Sequence, residues 1–186
     1  NRCGAERPVL IMKIHRLTDT QFLPVDLETT WRFFSDPRNL QVMTPPSLNL
    51  VPTSELPEAM HPGLIITYRV KPALGIPLTW VTEITHVVDR QFFVDEQRFG
   101  PYRFWHHQHH FREVAGGTEA RDIVHYALPF GPVGELAGGA MIKKRVGEIF
   151  TFRRAALIRQ FGAVTPAPVA GGGYHEPGLG LSLIHI

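Results

Sequence analysis

The chain has one cysteine, little net charge and no long hydrophobic run. Cys3 leaves no second cysteine for an intramolecular disulfide, so a reducing compartment is permitted. The formal net charge is only +2 and no basic arm stands out, so we expect no nucleic-acid partner. No apolar run approaches the ~20 residues of a membrane-spanning helix, and the first residues do not follow a signal-peptide pattern. We therefore expect a soluble, cytoplasmic protein without integral membrane association.

Motifs for the common cofactors are also missing. The chain contains no G-x-G-x-x-G, Walker or C-x-x-C pattern, so dinucleotide, nucleoside triphosphate and dithiol chemistry lack support. No serine or cysteine stands beside a histidine in a recognisable nucleophile motif, which argues against covalent catalysis. We therefore expect no cofactor.

The composition fits one folded domain with two extensions. Hydrophobic residues make up 44% of the chain and charged residues 19%, as in ordinary globular proteins. We expect a non-native or disordered extension over residues 1–11, a folded domain over 12–162 and a tail over 163–186. The tail is rich in proline and glycine, so it is expected to be disordered, and partly non-native at its LSLIHI end. The protein is expected to be a monomer or a weak dimer.

The domain combines short helices, many strands and one long helix. Residues 13–23 carry a strand-like alternation, and Asp26 is a suitable N-cap for a short helix that ends near Asp36-Pro37, with a further helical turn over 38–42. Six strand patterns separated by turn residues follow, and a long amphipathic helix is expected over 135–161. These elements predict an α+β protein in which a curved antiparallel sheet of about seven strands wraps around the long helix.

Several segments resemble a known superfamily. The element order is similar to the helix-grip fold of the START-like (SRPBCC) superfamily. The segments resemble in particular the bacterial ligand-binding proteins described as polyketide cyclase/dehydrase-like, and they are WRFFSDPRNLQVMTPP, GIPLTW, FVDEQRFGPYRFWHHQHHF, GGT, VHYALPFGPVG and IFTFRR. The resemblance covers about residues 13–161. It implies a hydrophobic cavity between the helix and the sheet, and it implies no metal.

The stretch FWHHQHHF, residues 104–111, places four histidines on one predicted strand. Because side chains alternate between the faces of a strand, Trp105, His107, His109 and Phe111 share one face. This set has aromatic residues at both ends and resembles a W-x-H-x-H-x-F pattern of the superfamily, so we expect it to face inward. The other two histidines of the stretch are expected to face outward.

Turn chemistry predicts which acidic residues join these histidines. A two-residue hairpin at Gly116-Gly117 would turn Asp122, Val124 and Tyr126 inward, with Asp122 diagonal to His109. A similar hairpin at Gly100-Pro101 would turn Glu96 inward opposite Trp105. A slip of one residue there would replace Glu96 by Asp95 and Gln97, because neighbouring residues of a strand face opposite sides.

Arg153 lies on the apolar side of the long predicted helix. A guanidinium group in that position must be paired or must reach an opening, because an isolated buried charge is too costly. It could pair with Asp122 or Glu96, or it could hold an acidic group of a ligand in a bidentate contact. A purely structural salt bridge that fixes the helix on the sheet is the alternative.

The histidines allow three interpretations. A metal site could combine His107 and His109 with Asp122 or Glu96, but H-x-H on a strand often occurs without metal, so we predict none. As an enzyme, the protein would be a cofactor-free cyclase or dehydratase in which His109 and Asp122 are the catalytic acid-base pair. The main prediction is a cavity that binds a small hydrophobic or aromatic ligand, whose identity stays open. The ligand-binding residues would be Tyr68, Trp80, Glu96, Trp105, His107, His109, Asp122, Tyr126 and Arg153.

Overall fold

A computed structural model describes residues 12–72 and 76–163, together with the backbone of residues 182–185. The predicted extension over 1–11 lies outside these described residues, as do residues 164–181 and 186 of the predicted tail. The domain boundaries at both ends therefore stay predictions. Residues 182–185 differ from the expected disordered tail, because they form a short strand.

The described residues form two α-helices, two short 3₁₀ helices and eight strands. Helix α1 spans Leu27–Phe34 and α2 spans Gly131–Phe161, while the 3₁₀ helices span Pro37–Gln41 and Pro46–Leu48. Asp26 caps α1 as predicted, since its side chain accepts a hydrogen bond from the Thr29 backbone N–H. The strands are β1 (His15–Leu23), β2 (Val51–Pro52), β3 (Leu64–Val70), β4 (Leu78–Val88), β5 (Phe92–Phe99), β6 (Phe104–Val114), β7 (Gly117–Ala127) and β8 (Ser182–His185).

The strands make one antiparallel sheet in the order β2-β3-β4-β5-β6-β7-β1-β8. Strands β2 to β7 pair in sequence order, and β1 joins the far side of β7. The sheet is open and curved, and the long C-terminal helix α2 completes the α+β helix-grip architecture. The predicted fold class is therefore confirmed.

Helix α2 packs one stripe of side chains against the sheet. Its buried residues recur at helical spacing, as expected for a helix with one covered face. They are Val146, Phe150, Arg153, Ala156 and Leu157. Val146, Phe150 and Leu157 join side chains of β1, β6 and β7 in the core. The charged member, Arg153, marks the place where the core becomes polar.

Strand β6 shows the predicted alternation of faces. Trp105, His107, His109 and Phe111 are buried, while the residues between them are more exposed. The inward direction expected for this part of FWHHQHHF is therefore confirmed. No helix in the described part of the chain has the length and apolar character needed to cross a bilayer.

The two hairpins that flank β6 have strand registers that differ from the predicted ones. Val114 pairs with Gly117, so the β6–β7 turn is Ala115-Gly116, and Gly116 adopts a φ of +82° there. Gly117 itself begins β7, where a Cβ atom would overlap the Leu23 carbonyl oxygen. The β5–β6 connection is wider, and its last residue pair is Glu96 with His106.

Candidate functional site

A cavity of about 140 Å³ lies between the inner face of the sheet, α2 and the segment after α1. Most of its lining is apolar and aromatic. Tyr68 and Trp80 line it from neighbouring strands, Trp105 from β6, and Phe34 and Phe150 from the two helices. Against this apolar wall, the described lining has one concentrated polar region, which β5, β6 and α2 contribute.

This polar region and Asp122 of β7 behind it comprise five side chains that we call the inner cluster: Asp95, His107, His109, Asp122 and Arg153. Four of the five are almost fully buried, with exposed fractions between 4% and 7%, and the Asp95 side chain is 20% exposed. All of them except Asp122 line the cavity. Asp122 is directly opposite His109 on the neighbouring strand β7, and it contacts both histidines.

Each histidine of the inner cluster lies between two carboxylates. His107 Nε2 is 2.9 Å from Asp122 Oδ1, and its Nδ1 is 3.5 Å from Asp95 Oδ2. His109 has the reverse orientation, with Nδ1 2.9 Å from Asp122 Oδ1 and Nε2 2.7 Å from Asp95 Oδ2. The two acidic residues therefore hold both imidazole rings from opposite sides.

Aromatic neighbours restrict the two imidazole rings further. Phe93 stacks on His109 with 4.1 Å between ring centroids, and Phe150 meets His107 edge-on at 5.7 Å. The two imidazoles also lie against each other, with centroids 3.8 Å apart. Packing on both sides leaves the rings little freedom to rotate, so their nitrogen atoms keep fixed directions.

Arg153 enters the inner cluster from α2. Its Nη2 atom is 3.3 Å from Asp122 Oδ1 and 3.1 Å from His109 Nδ1. Its guanidinium group also lies over the rings of Phe34 and Phe150, at 5.3 Å and 5.9 Å from the ring centroids. The Nε atom is buried and has no hydrogen-bond partner among the described residues. An unsatisfied buried donor is costly, so Arg153 brings a hydrogen-bond donor without an acceptor to the wall of the cavity.

Burial and charge act in opposite directions on the acidic groups. Burial alone would raise the pKa of Asp122, but Arg153 and the hydrogen bonds from both histidines hold that pKa well below its usual range. Burial also opposes ionisation of Asp95, yet the neighbouring His107 and His109 lower its pKa overall. Both carboxylates are therefore ionised at neutral pH.

The two histidines respond differently to the same surroundings. Burial and the charge of His109 lower the pKa of His107 to about 4, so His107 is neutral at pH 7. Burial also disfavours protonated His109, but hydrogen bonds to Asp122 and Asp95 outweigh it and raise its pKa. A neutral His107 donates from Nε2 to Asp122, which leaves its Nδ1 without a proton.

One predicted site residue lies on the wrong face. The prediction that Glu96 faces the cavity is wrong, because the wide β5–β6 connection shifts the register by one residue and turns Asp95 inward instead. Glu96 meets His106 on the outer face, with 3.0 Å between Oε1 and Nδ1. Gln97 holds the wide connection, since its amide nitrogen donates to the Tyr102 carbonyl oxygen and its amide oxygen accepts from the Tyr102 N–H.

The other predicted residues divide into lining and supporting positions. Tyr68, Trp80, Trp105, His107, His109 and Arg153 line the cavity. Asp122 faces inward but lies outside the lining, and so does Tyr126, which packs against Trp105 and the ring of His15. Asp95 is the one member of the inner cluster that was expected only in case of a register slip. The one sequence signal for it was its position next to Glu96.

The fold of this domain recurs in solved structures of low sequence identity. No protein-family model matches the chain. No curated protein matches it either. A START superfamily protein from Mycobacterium smegmatis aligns with 79% of this chain and 97% of its own length, with a TM-score of 0.57 and 13% identity. The protein has a START-like fold.

Two further structures share the START-like fold with this chain. A structural-genomics protein from Chromobacterium violaceum is 15% identical, with a TM-score of 0.60 over 81% of this chain and 99% of its own. The Mycobacterium smegmatis protein Ms6760 is 21% identical, with a TM-score of 0.55 over 78% of this chain and 92% of its own.

Proposed function

We propose that the START-like cavity binds a small hydrophobic or aromatic ligand that carries an acidic or other hydrogen-bond accepting group. The observation that carries this proposal is the buried Arg153 side chain, which lines an apolar cavity and whose Nε atom has no partner among the described residues. Apolar walls with a few convergent polar groups are typical of small-molecule sites. The guanidinium group supplies both charge and a directed donor for such a ligand.

The size of the cavity limits the ligand. An apolar cavity of roughly 150 Å³ accommodates benzene in a well-studied engineered protein, and the cavity in this domain measures about 140 Å³. A ligand with a single ring therefore fits without rearrangement of the walls. A molecule with several fused rings would require side chains such as Trp80 to move.

Binding of paired single-ring probes tests the proposal. Benzoate and toluene share a ring, but only benzoate offers a carboxylate to Arg153. We expect NMR titration to show both probes in the cavity, and Arg153→Met to weaken benzoate binding by about 10- to 100-fold, because a hydrogen bond to a charged group contributes about 1.5–3 kcal/mol. Toluene binding should persist in this variant, which also shows that the cavity is intact.

Arg154→Met is the matched control for the benzoate experiment. Arg154 is the next residue of α2, but it pairs with Asp19 and does not line the cavity. Its removal should leave benzoate affinity unchanged. Failure of both probes to bind, or equal benzoate affinity in wild type and Arg153→Met, would refute the proposal.

A cyclase or dehydratase activity is the second candidate function. His109 and Asp122 are in contact at 2.9 Å, and His109 lines the cavity, as an acid-base group must. Asp122 does not line the cavity, so it would position His109 rather than contact a substrate. If Asp122→Asn abolishes turnover of a ligand that it still binds normally, this candidate gains over simple binding. Parallel loss of binding would favour the orienting role instead.

A further inference from the structure

Two imidazoles and one carboxylate converge on the wall of the cavity. Asp95 Oδ2 lies 2.7 Å from His109 Nε2 and 3.5 Å from His107 Nδ1. One potential ligand atom from each of these three residues lies within 4.8 Å of the other two. All three residues line the cavity.

The remaining nitrogen atoms of both histidines contact a single oxygen atom. His107 Nε2 and His109 Nδ1 each lie 2.9 Å from Asp122 Oδ1. In metal sites, the histidine nitrogen that faces away from the ion commonly donates its hydrogen to a carboxylate, which fixes the ring and its tautomer. Asp122 makes this contact with both rings at once, from the side opposite Asp95.

This arrangement favours a positive charge beside Asp95. His107 donates from Nε2 to Asp122, so its Nδ1 presents a lone pair toward the Asp95 carboxylate 3.5 Å away. Such atoms repel one another in a buried site unless a cation lies among them. Arg153 does not fill this position, since its contacts are with Asp122 and with the Asp122-facing Nδ1 atom of His109. A proton between His109 and Asp95 would serve one contact, whereas a metal ion serves all three atoms.

We propose that Asp95, His107 and His109 bind one divalent transition-metal ion of the zinc or iron type. Two histidines and one carboxylate are a ligand set that suits both Zn²⁺ and Fe²⁺, and a three-ligand site leaves coordination positions for water or a substrate. Asp122 orients the two imidazoles, and Arg153 balances the charge of Asp122. The proposed metal site departs from the sequence prediction of no metal.

The metal site and the proposed ligand binding stand on separate observations. The ion depends on the three converging residues, whereas the organic ligand depends on the apolar wall and on Arg153. Zinc alone is therefore a sufficient probe, and failure of benzoate or toluene to bind has no bearing on it. A bound ion would occupy His109 Nε2, so the metal site and an acid-base role of that nitrogen exclude each other.

Calorimetric titration of the full chain with Zn²⁺, after treatment with a chelator and dialysis, tests the proposal. We expect one tight equivalent that Asp95→Asn and His107→Gln each remove. Asp122→Asn keeps all three ligands but should weaken binding by about 10- to 100-fold, because it loses the orienting charge. Glu96→Gln is the matched control, since Glu96 contacts His106 on the opposite face of the same two strands. It should bind zinc as wild type does.

Two results would overturn the metal proposal. One is the absence of a tight equivalent in wild type, and the other is equal binding by Asp95→Asn and Glu96→Gln, which would assign the zinc to surface histidines. A measurement on the unaltered chain covers the case in which a variant does not fold. Zinc should shift the ¹⁵N NMR signals of His107 Nδ1 and His109 Nε2, and shifts confined to other histidines would refute the site.

Discussion

Asp19 and Asp122 lie directly opposite each other on strands β1 and β7, and each forms an ion pair with one of two consecutive arginines of α2. Like charges at directly opposed positions destabilise a sheet. Arg153 contacts Asp122 and Arg154 contacts Asp19, so the helix neutralises both. The pair of ion contacts therefore fixes both the rotation and the position of α2 on the sheet.

Loss of Asp122 should cost far more stability than loss of Asp19. In Asp122→Asn, the 7%-exposed Arg153 side chain loses its charged partner and both histidines lose a charged acceptor, so we expect a loss of about 3–5 kcal/mol. In Asp19→Asn, Arg154 is 35% exposed and can turn to water, so the loss should be about 1 kcal/mol. Urea unfolding of both variants measures the difference. Similar losses would contradict the assigned contacts.

Asp95 and Glu96 should affect different histidines although they are sequence neighbours. Asp95→Asn is expected to shift the imidazole NMR signals of His107 and His109, because its carboxylate contacts both rings. Glu96→Gln should shift the signals of His106 instead. The reverse pattern would show that β5 has the register predicted from the sequence.

Alanine at two glycines of α2 should change stability in opposite directions. Gly147 lies in the helix interior, and a Cβ atom added there would meet no neighbouring element within 4 Å, so Gly147→Ala should stabilise the protein by about 0.5–1 kcal/mol. In Gly134→Ala, the new Cβ would overlap the Pro129 carbonyl oxygen, so the first turn of the helix must shift and stability should fall. Thermal unfolding measures the stability of both variants. Stabilisation by both substitutions would contradict the close approach of Gly134 to the Pro129 carbonyl oxygen.

Filling the cavity should block ligands without disturbing the rest of the core. Ile66 is buried and lines the cavity, so Ile66→Phe should greatly weaken toluene binding because its ring takes up part of the space. Leu17 is equally buried but does not line the cavity. Leu17→Phe should destabilise the protein by about 1–3 kcal/mol because it overpacks the core. It should nevertheless leave toluene affinity nearly unchanged. Equal effects on toluene binding would mean that the probe binds elsewhere.

The two hairpins explain how much of the site could be predicted from the sequence. At the β6–β7 turn the predicted register was wrong by two residues, and a shift of two keeps every side chain on its face. Asp122 and Tyr126 therefore face inward as predicted. At the β5–β6 connection the error was one residue, and this exchanged Glu96 for Asp95.

The cause of that single-residue error is a side-chain contact within the connection. Gly100-Pro101 favours a tight turn by local chemistry, but Gln97 forms two hydrogen bonds with the backbone of Tyr102 and closes a wider loop. Local turn preferences contain no information on such a side-chain closure. The alternating faces of β6 and the long helix could both be predicted, because hydrophobic periodicity in the sequence is sufficient to indicate them.

The histidines on both faces of β6 also bear on how this strand finds its place during folding. Inside, His107 and His109 meet Asp95, and outside, His106 meets Glu96, so both faces of β5 offer an acidic partner to a histidine of β6. Histidine–carboxylate pairing therefore distinguishes poorly between the observed register and one that is slipped by a single residue. The bulky Trp105 and Phe111, which are buried at either end of the histidines, distinguish the two registers because a slipped strand would expose them to water. The aromatic residues specify the register, and the histidines are free to be selected for chemistry.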